Sequence, residues 1–214
     1  MSWRILVPIK AIEVSKTRLS GVTQRPADHP DLVRALQLDT LWALAGLGDL
    51  LAGIYVVSSE DVLYAPPKVH RLSDHGGGLN SALATAASEI QSQFPDSELA
   101  AVVGDLPALR PEELRAALQA ATGLPRAFVA DRTGVGTTML TVGAGVALQP
   151  MFGRDSAARH RGSGAIELPA GPSVRTDVDT AEDLALCLQL GVGPRTAALS
   201  GMLVDVGIVN QRRA

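Results

Sequence analysis

Short apolar runs of strand length alternate along this chain with longer stretches whose apolar residues recur every three or four positions. Residues 5–9 predict a first strand and 32–47 a helix; residues 53–58 and 69–72 predict two further strands. A helix over 79–94 follows the run Gly76-Gly77-Gly78. Residues 99–103 are continuously apolar, the pattern of a strand covered on both faces in a parallel sheet. Pro111-Glu112-Glu113 opens the next helix, with proline in the first turn and acids at the positive end of the dipole. Strands are expected over 127–130 and 138–142, a short helix over 155–161 and a last strand over 174–178. The capping-box pattern Thr180-x-x-Asp183 then starts a helix over 181–190, and beyond Gly201 only a weak strand pattern over 202–209 remains.

Strand-then-helix order, repeated, predicts an α/β fold: a three-layer α/β/α sandwich around a mostly parallel sheet. There is no internal repeat, low-complexity segment or linker, so residues 1–214 read as one domain.

Composition narrows the partners. Hydrophobic residues make up 46% and aromatic residues only 3%, so the apolar mass of Ala, Leu and Val serves a core rather than an aromatic binding surface. A net charge of −3 gives no footprint for nucleic acid or an anionic membrane surface. No apolar stretch reaches the roughly 18 residues of a spanning helix, and residues 3–9 are too short for a secretory core. The single cysteine, Cys187, lies in a helical pattern and reads as a core residue in a reducing compartment. The expectation is a cytoplasmic protein without nucleic-acid or membrane partners; a homodimer is left open.

Open α/β sheets bind ligands beyond the carboxyl ends of their strands, so the strand-end loops carry the candidate chemistry. Gly104-Asp105-Leu106-Pro107 ends the most apolar run, where a carboxylate is costly to desolvate unless something positive meets it. Asp177 and Asp179, two apart on an extended chain, share a face. If the fold brings them to Asp105, the three suit a hard divalent cation such as Mg2+. Asp179 also stands beside the start of a helix, whose dipole would favour it without a metal.

After the first strand, Lys10, Ser15, Lys16, Thr17 and Arg18 set three cations and two hydroxyls within nine residues, a composition suited to a polyphosphate or to a solvated loop. No Walker A or G-x-G-x-x-G pattern follows this strand, which counts against a P-loop NTPase and a dinucleotide-binding dehydrogenase. The run Gly76-Gly77-Gly78-Leu79-Asn80 allows a backbone to approach a base or phosphate, and Asn80 carries an amide able to pair with a purine edge; a flexible turn is the plainer alternative. Gly136-Thr137-Thr138 and Phe152-Gly153-Arg154-Asp155-Ser156 supply further small, hydrogen-bonding groups, with Ser156 and His160 on one helix face.

Taken in order, P-x-K-x(5)-K-T-R-L, G-G-L-N, G-D-L-P, G-T-T, F-G-x-x-S-x-x-x-H and D-V-D-T resemble the CofC/FbiD guanylyltransferases of deazaflavin coenzyme F(420) biosynthesis, from Val7 to Leu184. The resemblance implies a nucleotidyltransferase fold and transfer of GMP from GTP onto a small phosphorylated carboxylic acid. That acid is phosphoenolpyruvate in the branch most similar to this chain, and 2-phospho-L-lactate or 3-phosphoglycerate in others. It implies Asp105, Asp177 and Asp179 as magnesium ligands, and Thr137, Gly153 and Ser156 as the receivers of the acceptor carboxylate. Lys10, Lys16 and Arg18 fall at the GTP phosphates, Gly78 and Asn80 near the nucleoside. Ala11-Ile12-Glu13 departs from the Pro/Leu-rich spacer of many members. Two rival readings remain: a molybdopterin guanylyltransferase, which expects a G-x-S-x-R-M-type loop where Pro8-Ile9-Lys10 stands, and a non-catalytic GTP-binding module.

Overall fold

The apolar runs assemble into a seven-stranded sheet in the order β3-β2-β1-β4-β6-β5-β7. The strands are β1 (Trp3–Pro8), β2 (Leu51–Ser58), β3 (Val69–Ser73), β4 (Glu98–Val102), β5 (Arg126–Ala130), β6 (Thr137–Val142) and β7 (Ile166–Glu167). The helices are α1 (His29–Ala45), α2 (Leu79–Gln93), α3 (Pro111–Ala121), α4 (Ser156–Gly162), α5 (Pro172–Arg175), α6 (Ala181–Leu190) and α7 (Pro194–Ala198). The computed structural model describes residues 2–9, 19, 21–59, 64–74 and 76–203.

β1 pairs in parallel with β2 and β4, β2 with β3, and β5 with β7; only β6 runs against its neighbours β4 and β5. Alternate residues of the central strands feed two cores. Ile5, Val7, Ala100, Val102, Ala127 and Val129 face Leu41 and Leu44 of α1 and Leu114 and Leu118 of α3. Leu6, Leu99, Ala101, Phe128 and Leu140 face Leu83, Ala86 and Ile90 of α2 and Ala157 of α4. That two-sided burial explains the unbroken apolar runs and gives the three layers the alternation predicts. A third cluster packs Leu184 and Cys187 of α6 on Leu32 and Leu36 of α1.

One predicted element needs correction. Residues 174–178 do not form a strand: Pro172–Arg175 is a helical turn with proline in its first positions, and the Glu113 carboxylate accepts the Ser173 N–H at 2.9 Å. Proline presets the helical φ, and the borrowed carboxylate satisfies a donor that the turn leaves open. Only the following residues run extended, where the Val178 N–H donates to the Asp105 carbonyl at 3.1 Å instead of joining the sheet. The strand expected over 202–209 lies outside the described residues from 204 onward; Met202 ends a 3-10 turn and Leu203 bridges Thr23. The two-residue β7 and the short α7 carry too few residues to show a period.

α7 is anchored by one acid. Asp39 of α1, its side chain fully buried, accepts the N–H groups of Arg195 at 3.2 Å and Thr196 at 2.8 Å. Asp39→Ala leaves both donors unmet and is expected to cost about 2–4 kcal/mol in urea unfolding. A loss under about 1 kcal/mol would show that α7 does not depend on this cap.

Candidate active site

The strand order reverses between β1 and β4, because β2 and β3 build outward on one side and β6, β5 and β7 on the other. A crevice opens at such a switch point beyond the strand ends. Here it is a cleft of about 790 Å³, walled by Pro8 at the end of β1, Val103-Gly104-Asp105 after β4, the 131–137 loop, the 152–156 loop, and Asp177 and Asp179.

The structure gathers the three predicted acids. Carboxylate oxygens of Asp105, Asp177 and Asp179 all lie within 4.8 Å of one another, the first two half-buried and the third exposed. Oxygens sharing one magnesium ion lie at most about 4.2 Å apart, twice the usual bond length, so a small side-chain adjustment closes the set. All three donors are hard oxygens, which fits magnesium in kind as well as in spacing.

Backbone ties bring the acids together. The Thr40 hydroxyl of α1 donates to the Leu36 carbonyl and accepts the Leu106 N–H, each at 2.9 Å. Pro107 accepts the Gly193 N–H at 2.8 Å, and Asp105 accepts that of Val178. The loop after β4 is thus held from α1, from the segment before α6, and from the turn before α7. On the other strand-end loop, the Arg175 guanidinium donates to the Asp131 carbonyl at 2.8 Å and the Ala130 carbonyl at 3.1 Å. That fixes the base from which Asp177 projects. Sequence reading missed Thr40 and Arg175, since one long-range hydrogen bond leaves no periodic trace.

The helix start beside Asp179 is served by others. The Thr180 hydroxyl accepts the Asp183 N–H, and the Asp183 carboxylate accepts those of Thr180 and Asp179 and meets Arg132 at 3.0 Å. Burial alone would raise the Asp183 pKa, but the Thr180 hydroxyl, Arg132 and those backbone donors outweigh it and hold the carboxyl below its ordinary value. The capping box therefore occupies the start of α6, while the Asp179 carboxylate joins the acidic cluster.

Thr137, Gly153 and Ser156 share one wall of the same cleft. Thr137 begins β6; Ser156 begins α4 and its N–H bonds to the Gly153 carbonyl at 3.1 Å. Gly153 has φ of +107°, open to glycine and strained for any side chain, and this lets the loop turn its backbone into the cleft. His160, fully buried on α4, reaches both flanks, bonding the Thr137 hydroxyl at 2.9 Å and accepting the Met151 N–H at 3.0 Å.

Gly76, Gly77 and Gly78 all have φ between +82° and +88°, so this segment requires glycine for its backbone path into α2. Gly78 caps that helix and Leu79 reaches the cleft wall. The Asn80 amide ties α2 to the 152–156 loop: its Nδ2 donates to the Phe152 carbonyl at 3.0 Å and its Oδ1 accepts the Phe152 N–H at 2.8 Å. Lys10, Lys16 and Arg18 lie outside the described residues; Pro8, just before them, is in the cleft wall. The Cys187 thiol is pushed up to about 12, by burial first and then by Asp183, Asp177 and Asp105, as befits an inert core group.

Solved structures share this architecture. The putative nucleotide-diphospho-sugar transferase from Desulfovibrio desulfuricans G20 matches with a TM-score of 0.67 over 93% of this chain and 94% of its own, at 19% identity. A 4-diphosphocytidyl-2C-methyl-D-erythritol synthase matches with a TM-score of 0.61 over 88% and 97%, at 12% identity. The sheet and its cleft thus define a nucleotidyltransferase-type α/β fold.

Within that class, the chain belongs to the guanylyl transferase CofC-like family, whose pattern matches residues 3–199. Relatives include the phosphoenolpyruvate guanylyltransferase of Streptomyces coelicolor, 46% identical over 97% of this chain and 100% of the relative. Another is the phosphoenolpyruvate guanylyltransferase of Mycolicibacterium smegmatis, 40% identical over 90% and 88%. The family is the one that the ordered motifs resemble. No described helix is long and apolar enough to cross a membrane.

Proposed function

We propose that this chain transfers GMP from GTP onto the phosphate of phosphoenolpyruvate, releasing pyrophosphate and giving enolpyruvoyl-diphospho-guanosine, a step of coenzyme F(420) biosynthesis. The observation that carries the reading is the meeting of Asp105, Asp177 and Asp179 at the switch point of a chain of this family.

A phosphate oxygen of the acceptor attacks the α-phosphorus of GTP, and the bond from that phosphorus to the bridging oxygen of pyrophosphate breaks. The attacking oxygen is already ionised near neutral pH, since a phosphate monoester loses its second proton at about pH 6. No side chain has to take a proton, and the difficulty lies in bringing two anions together in line. Asp105, Asp177 and Asp179 would hold magnesium, which would supply charge neutralisation for the two anionic substrates and the leaving group. Thr137, Gly153 and Ser156, which line the same cleft, receive the acceptor carboxylate. Lys10, Lys16 and Arg18, which follow β1 in the sequence, are assigned to the GTP phosphates by their positive charge. Gly76-Gly77-Gly78 lies towards the nucleoside, and Asn80 serves the site indirectly, by holding Phe152 beside Gly153.

The test is pyrophosphate release by the purified protein with magnesium, offering GTP or ATP with phosphoenolpyruvate, 2-phospho-L-lactate or 3-phosphoglycerate. Turnover is expected with GTP and phosphoenolpyruvate, at least about tenfold above every other pair. A preference for another acceptor moves the substrate assignment, and no release with any pair removes the enzymatic reading.

A further inference from the structure

His160 has no place in the reaction as written, yet it is fully buried and touches both flanks of the acceptor wall. The Met151 N–H points at Nε2 from 3.0 Å, so Nε2 must present its lone pair. In a neutral imidazole the hydrogen then sits on Nδ1, which faces the Thr137 hydroxyl oxygen at 2.9 Å. Nδ1–H donates, the Thr137 oxygen accepts, and the hydrogen of that hydroxyl is left to turn elsewhere. Thr137 lines the cleft.

The surroundings hold the ring in this state. Phe128 and Phe152 pack on it with centroids 5.8 and 5.5 Å away. A second ring proton would place an N–H against the Met151 N–H. Burial, then the positive charges of Arg126 and Arg159, lower the imidazole pKa to about 4.

We infer that His160 is a positioning residue: its Nδ1–H orients the Thr137 hydroxyl hydrogen into the cleft as a donor for the acceptor carboxylate, and its Nε2 sets the Met151–Gly153 backbone beside it. This rests on the acceptor assignment proposed above. It differs from a packing role because it predicts an effect on one substrate only.

Steady-state kinetics with varied phosphoenolpyruvate and varied GTP test it. His160→Leu is expected to raise the KM for phosphoenolpyruvate by about tenfold or more, since a hydrogen bond to a charged group is lost, with the KM for GTP within about twofold. His160→Asn, whose amide nitrogen falls near the Nδ1 position, is expected to recover most of that loss. Thr137→Val should show the same acceptor-selective rise and Thr137→Ser should not, while the losses in Thr137→Val/His160→Leu should be well short of multiplicative, because both changes remove the same oriented hydroxyl.

Equal rises in both KM values, no recovery by His160→Asn, or losses that multiply in the double variant would overturn the inference. If His160→Leu does not fold, the Thr137 pair decides alone: an unchanged acceptor KM in Thr137→Val refutes the role. Wild-type protein that releases no pyrophosphate from GTP and phosphoenolpyruvate removes the acceptor assignment and this inference with it. Wild-type turnover with insensitive variants removes only the inference.

Discussion

Asp105→Asn is expected to lower the rate of pyrophosphate release at least about 10²–10³-fold while the protein stays folded. The carboxylate stands at the end of the central strand β4, with oxygens of Asp177 and Asp179 within 4.8 Å. Asparagine keeps the shape and one carbonyl oxygen but removes a full negative charge from the group that would face the cation. A second readout separates metal binding from catalysis. In EDTA the variant should unfold no lower than wild type, because one of three mutually repelling carboxylates has gone. Magnesium at ten times its Kd should stabilise wild type by about 1.4 kcal/mol, a Tm rise of about 3–6 °C, and should leave the variant almost unmoved. Near-wild-type turnover in Asp105→Asn, or an equal magnesium response in both proteins, sinks the assignment.

The acids were legible in the sequence because each sits where a regular pattern breaks off. Residues 99–103 are apolar until Gly104-Asp105, and a buried central strand followed at once by a carboxylate announces a strand-end site. Asp177 and Asp179 were found through two-residue spacing, which requires only that the chain be extended at those positions. The spacing suffices even though the strand expected around them is a helical turn followed by an extended link. The meeting of the two segments was not legible. It depends on the Thr40 hydroxyl, the Val178-to-Asp105 bond and the Arg175 guanidinium, contacts made by single groups between distant parts of the chain.

The same limit applies on the wall that carries Thr137, Gly153 and Ser156. Residue type predicted that Asn80 would hydrogen-bond, and it does, but its partner is the Phe152 backbone 72 positions away. His160 shared a helix face with Ser156 in the sequence, whereas its two partners, Thr137 and Met151, lie on other elements. The cleft is therefore built in two tiers. Side chains exposed to it follow local patterns that can be read from the chain. Those behind it, which decide where the exposed groups point, are set by packing and leave no spacing of their own.

Acid is expected to destabilise wild type more steeply than His160→Asn between pH 6.5 and 4, because the buried imidazole takes its proton only when the protein unfolds. Its pKa falls from the ordinary 6.5 to about 4, through burial first and then the charges of Arg126 and Arg159. As pH drops through 6.5 the unfolded chain binds a proton that the folded chain refuses until about pH 4, so the unfolded state gains. The contribution is present in full above the unfolded value and lost as pH falls through the folded one, about 3 kcal/mol in all. The other histidines and the carboxylates are common to both proteins, so the difference between their stability curves isolates His160. Urea unfolding across pH 7 to 4 should show His160→Asn less stable at pH 7, through lost packing and the Met151 bond. The gap should narrow or reverse by pH 4. Curves that stay parallel would mean that the folded and unfolded chains bind this proton alike, so that the surroundings do not hold His160 neutral.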